Sequence, residues 1–151
     1  MTRWRIINQP TLDSLGGLRA SGRWHTKGRP AVYCTPNPAT ALLEVLVHLE
    51  IDSEDIPVSL RYLEIERPSS ISTQTISSRT LSGDWRTNPE TTRRIGNQWL
   101  SSGRSALLRV PCALVPATVN VLINPRHPDS ARLVIRGIHE QPIDSRLRMR
   151  L

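Results

Sequence analysis

Cysteines and long apolar runs are scarce in this sequence, and their scarcity excludes several classes of protein. Cys34 and Cys112 are its two cysteines, too few for the disulfide framework of a small secreted domain, so we expect two buried thiols. No apolar run approaches the roughly 20 residues that cross a bilayer, and residues 1–5 lack the apolar stretch of a secretory signal. We therefore expect a cytoplasmic protein with no membrane partner.

The signatures of two common ligand sites are also absent. No Gly-x-Gly-x-x-Gly segment is present, and the predicted strands are not spaced as in a doubly wound parallel sheet. The histidines have no metal-ligand spacing, so we predict no metal. The four histidines are His25, His48, His127 and His139.

Positive charge is concentrated in the second half of the chain. The net charge is +7, and residues 1–75 hold eight basic and eight acidic residues, so residues 76–151 hold the whole excess. Lys27 is the single lysine among twenty basic residues. Such a basic half suits nucleic acid, an anionic ligand or an acidic protein partner. No zinc-finger spacing, basic zipper or aromatic RNA-binding stripe supports direct binding to nucleic acid.

The pattern of apolar residues predicts several short strands with two helices in the middle, and hence an α+β or mixed α/β fold. Residues 1–151 have the length of one domain with a proper core. In the first helix the apolar residues share one face, and Glu44 lies at the margin of that face, one turn before His48. Residues 15–28 and 68–82 are predicted to be irregular. Predicted strands span residues 4–7, 31–35, 58–66, 107–110, 119–123 and 133–135, and predicted helices span residues 39–50 and 91–100.

Three polar residues around the first predicted helix have complementary chemistry. An arginine clamps phosphate oxygens with two hydrogen bonds, a tyrosine stacks on a planar base, and a glutamate stabilises a cationic sugar. Arg23, Tyr33 and Glu44 therefore suit a pocket that holds a dinucleotide and cleaves its glycosidic bond. Taken singly, they also suit a surface arginine beside Trp24, a core tyrosine, and a solvated glutamate paired with His48.

An ordered set of short segments resembles the RES-domain family, the toxin half of Xre–RES toxin–antitoxin systems. Each segment is weakly specific alone, but together they run nearly from end to end of the chain. The segments are residues 4–6, 21–25, 32–33, 41–46, 83–85, 96–100, 110–113, 120–125, 127–128 and 144–147.

The resemblance implies a fold, a reaction and a partner. The implied fold is an ADP-ribosyltransferase-like split antiparallel β core with flanking helices, in a single domain over residues 1–151. The implied substrate is NAD, cleaved at the nicotinamide–ribose bond, with water, phosphate or a protein side chain as acceptor. The implied partner is a cognate Xre-type antitoxin whose helix-turn-helix domain binds operator DNA, so that this chain contacts DNA only indirectly.

The resemblance also assigns roles to five residues. Arg23 clamps the pyrophosphate, with Arg5 as a second anion contact. Tyr33 stacks on nicotinamide or bonds a ribose hydroxyl. Glu44 stabilises the cationic sugar as nicotinamide leaves or orients the attacking group. Cys112 lines the site in a position where the family is expected to have serine. A thiol is larger and a weaker donor than a hydroxyl, so this replacement leaves both an active and an attenuated site possible.

Three alternative functions stay open at this point. The first is a protein mono-ADP-ribosyltransferase toxin, which differs only in its acceptor. The second is a nucleic-acid-binding or RNA-cleaving toxin that uses the basic second half. The third is an inactive antitoxin-binding module, which the replacement at Cys112 allows. We also expect the arginine-rich C-terminus, residues 146–150, to contact an acidic surface of the antitoxin.

Overall fold

The computed structural model describes residues 1–7, 15–48 and 57–148. In this part of the chain the strands are β1 Thr2–Ile7, β2 Val32–Cys34, β3 Ser59–Glu66, β4 Thr73–Thr75, β5 Leu107–Pro111, β6 Val119–Ile123 and β7 Val134–Pro142. The α-helices are α1 Leu15–Arg19, α2 Pro38–Leu46, α3 Pro89–Ser102 and α4 Ser145–Arg148, and two 3-10 helices span Ser78–Thr80 and Pro128–Arg132.

The strands form two sheets. The first has the order β1-β3-β7 and is antiparallel, and the second has the order β2-β6-β5-β4. In the second sheet β2–β6 and β5–β6 are antiparallel, whereas β4 and β5 are parallel. Among the described residues, an isolated bridge between Trp4 and Thr35 joins the sheets. The predicted α+β fold with a split, largely antiparallel core is confirmed.

The second sheet separates two apolar clusters because its side chains alternate between faces. Leu107 and Val121 belong to the cluster packed between the sheets, together with Leu63 of β3. Their sequence neighbours Leu108 and Leu122 belong to a second cluster on the opposite face. This second cluster is rich in tryptophan and contains Trp24, Trp85 and Trp99.

Helix α3 covers the tryptophan-rich face of the sheet. Asn88 caps its N-terminus by accepting a hydrogen bond from the Glu90 N–H, and Gly103 ends it in the left-handed region at φ 57°. These signals extend the helix beyond the predicted residues 91–100. Its apolar residues Ile95 and Trp99 pack into the cluster, so the helix is fixed against the sheet.

Several boundaries differ from the sequence prediction. The predicted loop at residues 15–28 begins with α1, and the irregular segment 68–82 contains β4 and a 3-10 helix. Strand β7 is much longer than the predicted residues 133–135, because it is held by backbone pairing to β3 while most of its side chains are exposed. An exposed edge strand has no alternating apolar pattern to reveal it. Residues 49–50 of the predicted helix lie outside the described residues.

Both cysteines are buried free thiols, as predicted. Burial raises the pKa of the Cys34 thiol to about 11, against the opposing charges of Arg5 and Arg3. Within the described ranges, no helix has the length and apolar character needed to span a membrane.

Candidate active site

Arg23 is held in place by the loop that precedes α3. Its Nη1 donates hydrogen bonds to the carbonyl oxygens of Trp85, at 3.3 Å, and Arg86, at 2.8 Å. Trp85 is buried, and the Arg86 guanidinium lies 4.6 Å from the centre of its ring. In addition, Thr92 Oγ1 of α3 donates to the Arg23 carbonyl at 2.6 Å. The guanidinium of Arg23 is therefore oriented by backbone groups.

The segment around Arg23 lies directly against α3. Arg93 Nε donates to the Gly22 carbonyl at 2.8 Å, and the Thr26 N–H donates to Asn97 Oδ1 at 3.1 Å. A Cβ at Gly96 would lie 1.7 Å from the Trp24 carbonyl oxygen, so only glycine permits this approach. The sequence thus brings residues 22–26 and α3 together across about 70 positions of chain.

Tyr33 and His25 form a buried polar network beneath this segment. The Tyr33 hydroxyl accepts a hydrogen bond from the Trp24 N–H at 3.0 Å and lies 2.8 Å from His25 Nδ1. His25 Nε2 lies 3.2 Å and 3.1 Å from the carbonyl oxygens of Gly17 and Ala20. Because carbonyls only accept, we assign the proton to Nε2, and Tyr33 then donates to Nδ1. Burial lowers the pKa of His25, which favours this neutral ring.

The environment of Tyr33 also indicates which charges lie near it. Burial raises the pKa of the Tyr33 hydroxyl far above its ordinary value. The charges of Arg93 and Arg23 act against this shift, and the charge of Glu44 adds to it. The guanidinium of Arg23 and the carboxylate of Glu44 therefore both lie within electrostatic range of the tyrosine. The structure brings together the three residues that the sequence singled out.

Glu44 points from α2 towards the second sheet. Its Oε1 accepts a hydrogen bond from Asn120 Nδ2 at 2.8 Å and lies 3.5 Å from Cys112 Sγ, a weak donor. Glu44 is half-buried and forms no pair with His48, which is exposed. On the opposite side of the helix Leu42 packs against the first sheet. Helix α2 thus directs apolar residues to one sheet and a carboxylate to the other.

Strand register explains why distant residues share this site. Tyr33 lies opposite Leu122, and Val110 lies opposite Asn120. Residues two apart along a strand point to the same face, so Tyr33, Asn120 and Cys112 project from the face that carries the tryptophan-rich cluster. The site is therefore built at the point where α2, α3 and the second sheet meet.

Arg5 contacts the backbone of a predicted site residue, Tyr33. Its Nη1 donates to the Tyr33 carbonyl at 3.2 Å, and its charge acts on the buried thiol of Cys34. No hydrogen bond in the described part of the chain joins Arg5 to Arg23, Glu44 or Cys112. The neighbouring Trp4 packs against His139 on β7, with ring centres 5.6 Å apart. Arg5 therefore supports the backbone of β2 from the side of β1.

A separate open groove of about 500 Å³ lies where α2, the end of β7 and α4 meet. Leu42, Tyr62 and Ile143 contribute to its apolar lining, and Asp144 is its one charged residue. None of the predicted site residues lines it. The region around Tyr33 contains more charged and hydrogen-bonding side chains than this groove, so we assign the candidate site to the region around Tyr33. The described residues contain no group of three or more His, Cys, Asp or Glu side chains arranged to hold a metal.

Comparison with known proteins decides the family. The RES domain matches residues 2–145. This chain belongs to the RES domain family. The toxin Res of Pseudomonas putida is 46% identical to this RES domain over 97% of this chain and 99% of the relative. The Prs ADP-ribosylating toxin of Sphingobium sp. is 34% identical over 95% of this chain and 94% of the relative.

A solved structure shares the fold of this RES domain. It is the Mycobacterium tuberculosis MbcT–MbcA toxin–antitoxin complex, one chain of which superposes with a TM-score of 0.74. The alignment covers 99% of this chain and 87% of that chain at 16% identity. At this low identity the likeness concerns the fold alone.

Three polar residues of this RES domain were not assigned to the site from the sequence. His25 lies two residues after Arg23 in one of the segments that resemble the family, and Asn120 begins another. The resemblance of these segments assigned no role to either side chain. Arg93 had no local signal, because its contact with Gly22 depends on the packing of α3. Hydrogen bonds between residues so distant in sequence emerge only with the fold.

Proposed function

We propose that this RES domain is the toxin of a toxin–antitoxin system and that it consumes NAD by cleaving the nicotinamide–ribose bond. The observation that carries the proposal is the half-buried carboxylate of Glu44, held by Asn120 and Cys112, with Tyr33 feeling the charges of both Glu44 and Arg23. The family and the names of its relatives as toxins agree with it.

Arg23 is suited to the pyrophosphate of NAD. Its Nη1 is engaged by the two carbonyls of the preceding loop, while Nη2 and Nε have no hydrogen-bond acceptor within the described ranges. These two nitrogens present parallel N–H groups to a phosphate, in the bidentate geometry that favours arginine over lysine.

Tyr33 contributes its ring to the ligand. Its hydroxyl donates to His25 and accepts from the Trp24 N–H, so its proton and one of its lone pairs are already used within the protein. Of the two roles expected for Tyr33, stacking on nicotinamide is therefore favoured over a bond to a ribose hydroxyl.

Glu44 stabilises the reacting sugar. As the bond between the ribose C1′ and the nicotinamide nitrogen breaks, nicotinamide leaves with the bonding electrons as a neutral base, and positive charge develops on the ribose. A fixed carboxylate in a partly desolvated site stabilises that charge. The oxygen of the acceptor then bonds to C1′ and releases its proton.

A protein acceptor is the second candidate. The Sphingobium relative is named an ADP-ribosylating toxin, and transfer to a protein side chain needs the same bond cleavage with a different final acceptor. Water or phosphate gives a glycohydrolase or a phosphorolase instead. NAD serves as a substrate in all three reactions.

The proposed partner is an Xre-type antitoxin that covers the cleft in the cytoplasm and carries the contact with DNA. The basic second half of the chain suits an acidic antitoxin surface. At the C-terminal end, Arg146 pairs with Asp144 at 2.8 Å and Arg148 is exposed, while residues 149–151 lie outside the described residues.

Expression in bacteria tests this function. We expect the wild-type chain to stop growth and deplete cellular NAD, and the Glu44→Gln variant to do neither. We expect co-expression of a cognate Xre-type antitoxin to restore both growth and NAD. Growth arrest with unchanged NAD and degraded RNA would contradict the proposal in favour of an RNA-cleaving toxin. Normal growth with a folded chain would instead favour an inactive antitoxin-binding module.

A further inference from the structure

Asn120 contains a buried hydrogen-bond acceptor without a donor. Its Nδ2 donates to Glu44 Oε1 at 2.8 Å, and since a carboxylate only accepts, the amide nitrogen must face Glu44. The amide oxygen therefore points away from Glu44. That Oδ1 atom is buried and has no hydrogen-bond partner among the described residues.

This amide oxygen differs from the other unpartnered atoms of its kind. Within the described ranges, the other buried side-chain atoms without a partner are arginine Nε donors, those of Arg3, Arg5 and Arg67. Asn120 Oδ1 is the one acceptor among them, and it lies beside the carboxylate of the proposed site. Leaving a buried acceptor unpaired is costly, so a ligand that brings a donor to this oxygen would gain a favourable hydrogen bond.

The position of Asn120 identifies the part of the ligand that supplies the donor. Asn120 and Tyr33 lie on the same sheet face, with Asn120 two residues along β6 from the residue opposite Tyr33. Such diagonal neighbours are about 7–8 Å apart. Asn120 as a whole is half-buried, although its Oδ1 atom is buried. A ring stacked on Tyr33 and a ribose beside Glu44 both bring N–H or O–H groups to this amide.

We propose that Asn120 is a substrate-binding residue whose amide oxygen accepts a hydrogen bond from the nicotinamide riboside half of NAD while its amide nitrogen positions Glu44. The proposal rests on the proposed cleavage of NAD. The donor is either the carboxamide N–H or a ribose hydroxyl. A single side chain thus couples recognition of the leaving half to the orientation of the carboxylate.

Substrate analogues test this role and distinguish the two donors. The purified wild-type chain, Asn120→Leu and the control Gln98→Leu, an exposed amide on α3, are compared by kcat/KM for release of the pyridine base. The substrates are NAD, 3-acetylpyridine adenine dinucleotide, which lacks the carboxamide N–H, and NAD analogues lacking the 2′- or 3′-hydroxyl of the nicotinamide ribose. For each analogue, the value of kcat/KM for NAD is divided by the value for the analogue, in wild type and in the variant. The wild-type ratio is then divided by the variant's ratio, so the analogue's intrinsic reactivity cancels.

We expect this quotient to be about 10 to 100 for one analogue with Asn120→Leu, and close to one for every analogue with Gln98→Leu. The analogue that gives the large quotient identifies the donor. A quotient close to one for all analogues overturns the role of Asn120 while leaving NAD cleavage intact. Failure of the wild-type chain to cleave NAD overturns the proposed function and this inference together. Asn120→Ala, analysed in the same way, replaces Asn120→Leu if melting curves show that the leucine variant is unfolded.

Discussion

At the scale of single residues, Tyr33 has a hydroxyl with a structural role and a ring to which we assign the contact with NAD. It satisfies both the Trp24 N–H and the His25 ring, so its hydrogen-bonding capacity stabilises the fold of residues 22–26. The proposed contact with NAD is therefore assigned to the tyrosine ring. The sequence had left both roles open for Tyr33, because the partner of the hydroxyl lies on a segment whose path the sequence does not reveal.

Tyr33→Phe tests this separation of roles. Because the substitution leaves His25 Nδ1 and the Trp24 N–H without a hydrogen-bond partner, we expect the free energy of unfolding to fall by about 1–3 kcal/mol. We also expect kcat/KM for NAD to stay within about threefold of wild type, because phenylalanine keeps the aromatic ring. A threefold change corresponds to less than 1 kcal/mol. Urea denaturation and nicotinamide release measure the two quantities. A stable variant without activity would show instead that the hydroxyl acts on the ligand.

Glu44 was proposed as a site residue from the sequence for a physical reason that Asn120 lacks. A helix reveals its buried face through local spacing, and a carboxylate at the margin of that face points to a cleft. The bond from Asn120 to Glu44 spans 76 positions, and an asparagine within a strand gives no such signal. Arg23 was found through its glycine- and tryptophan-containing segment, but the carbonyls that orient it belong to a loop about 60 positions away.

At the scale of elements, the packing of α3 against residues 22–26 determines the position of Arg23. Gly96 permits the contact, and Thr92, Arg93 and Asn97 hold it with hydrogen bonds. Elements with a buried apolar face, such as β3 with Leu63 and Ile65 buried, were predicted nearly to their ends. Strand β7 was not, since backbone pairing alone defines its length.

Gly96→Ala tests the role of this contact. Alanine is the better helix former by about 1 kcal/mol, yet its Cβ would collide with the Trp24 backbone. We expect the collision to dominate, lowering stability by about 1–3 kcal/mol and reducing activity as Arg23 is displaced. Gln98→Ala, at an exposed position of the same helix, should keep both. Equal stability and activity of the two variants would show that α3 does not determine the geometry of the site.

At the scale of the whole molecule, the excess of positive charge suits an acidic partner.

Titratable groups make the free energy of unfolding depend on pH in two stages. His25 has a lowered pKa because of burial. Four carboxyls have pKa values lowered mainly by hydrogen bonds, from Arg136, Ser82, Ser72 and Arg146 in the order in which the carboxyls are named next. These carboxyls are Glu66, Asp84, Asp129 and Asp144.

Both His25 and the carboxyls lose their contribution to stability as the pH falls, but they lose it over different pH ranges. Above its unfolded pKa of about 6.5, His25 is neutral in both states, and its contribution to stability is complete. As pH falls below that value the unfolded chain binds a proton first, so stability declines. The carboxyls add a second decline below about pH 4. Urea denaturation from pH 8 to 3 should show both stages, and His25→Asn should remove the first. Persistence of the first stage in His25→Asn, or its loss in the exposed control His48→Gln, would contradict this assignment.

Nicotinamide release from NAD by the purified, antitoxin-free chain tests the central claim most directly. Wild type, Glu44→Gln and the exposed control Glu90→Gln are compared with and without phosphate. We predict release by wild type and Glu90→Gln, and a decrease of at least about 100-fold in Glu44→Gln, because the substitution keeps the shape but removes the charge. Dependence on phosphate would identify phosphate as the acceptor. Undiminished release by Glu44→Gln would contradict the role of the carboxylate, and no release by folded wild type would contradict cleavage of NAD with water or phosphate as the acceptor.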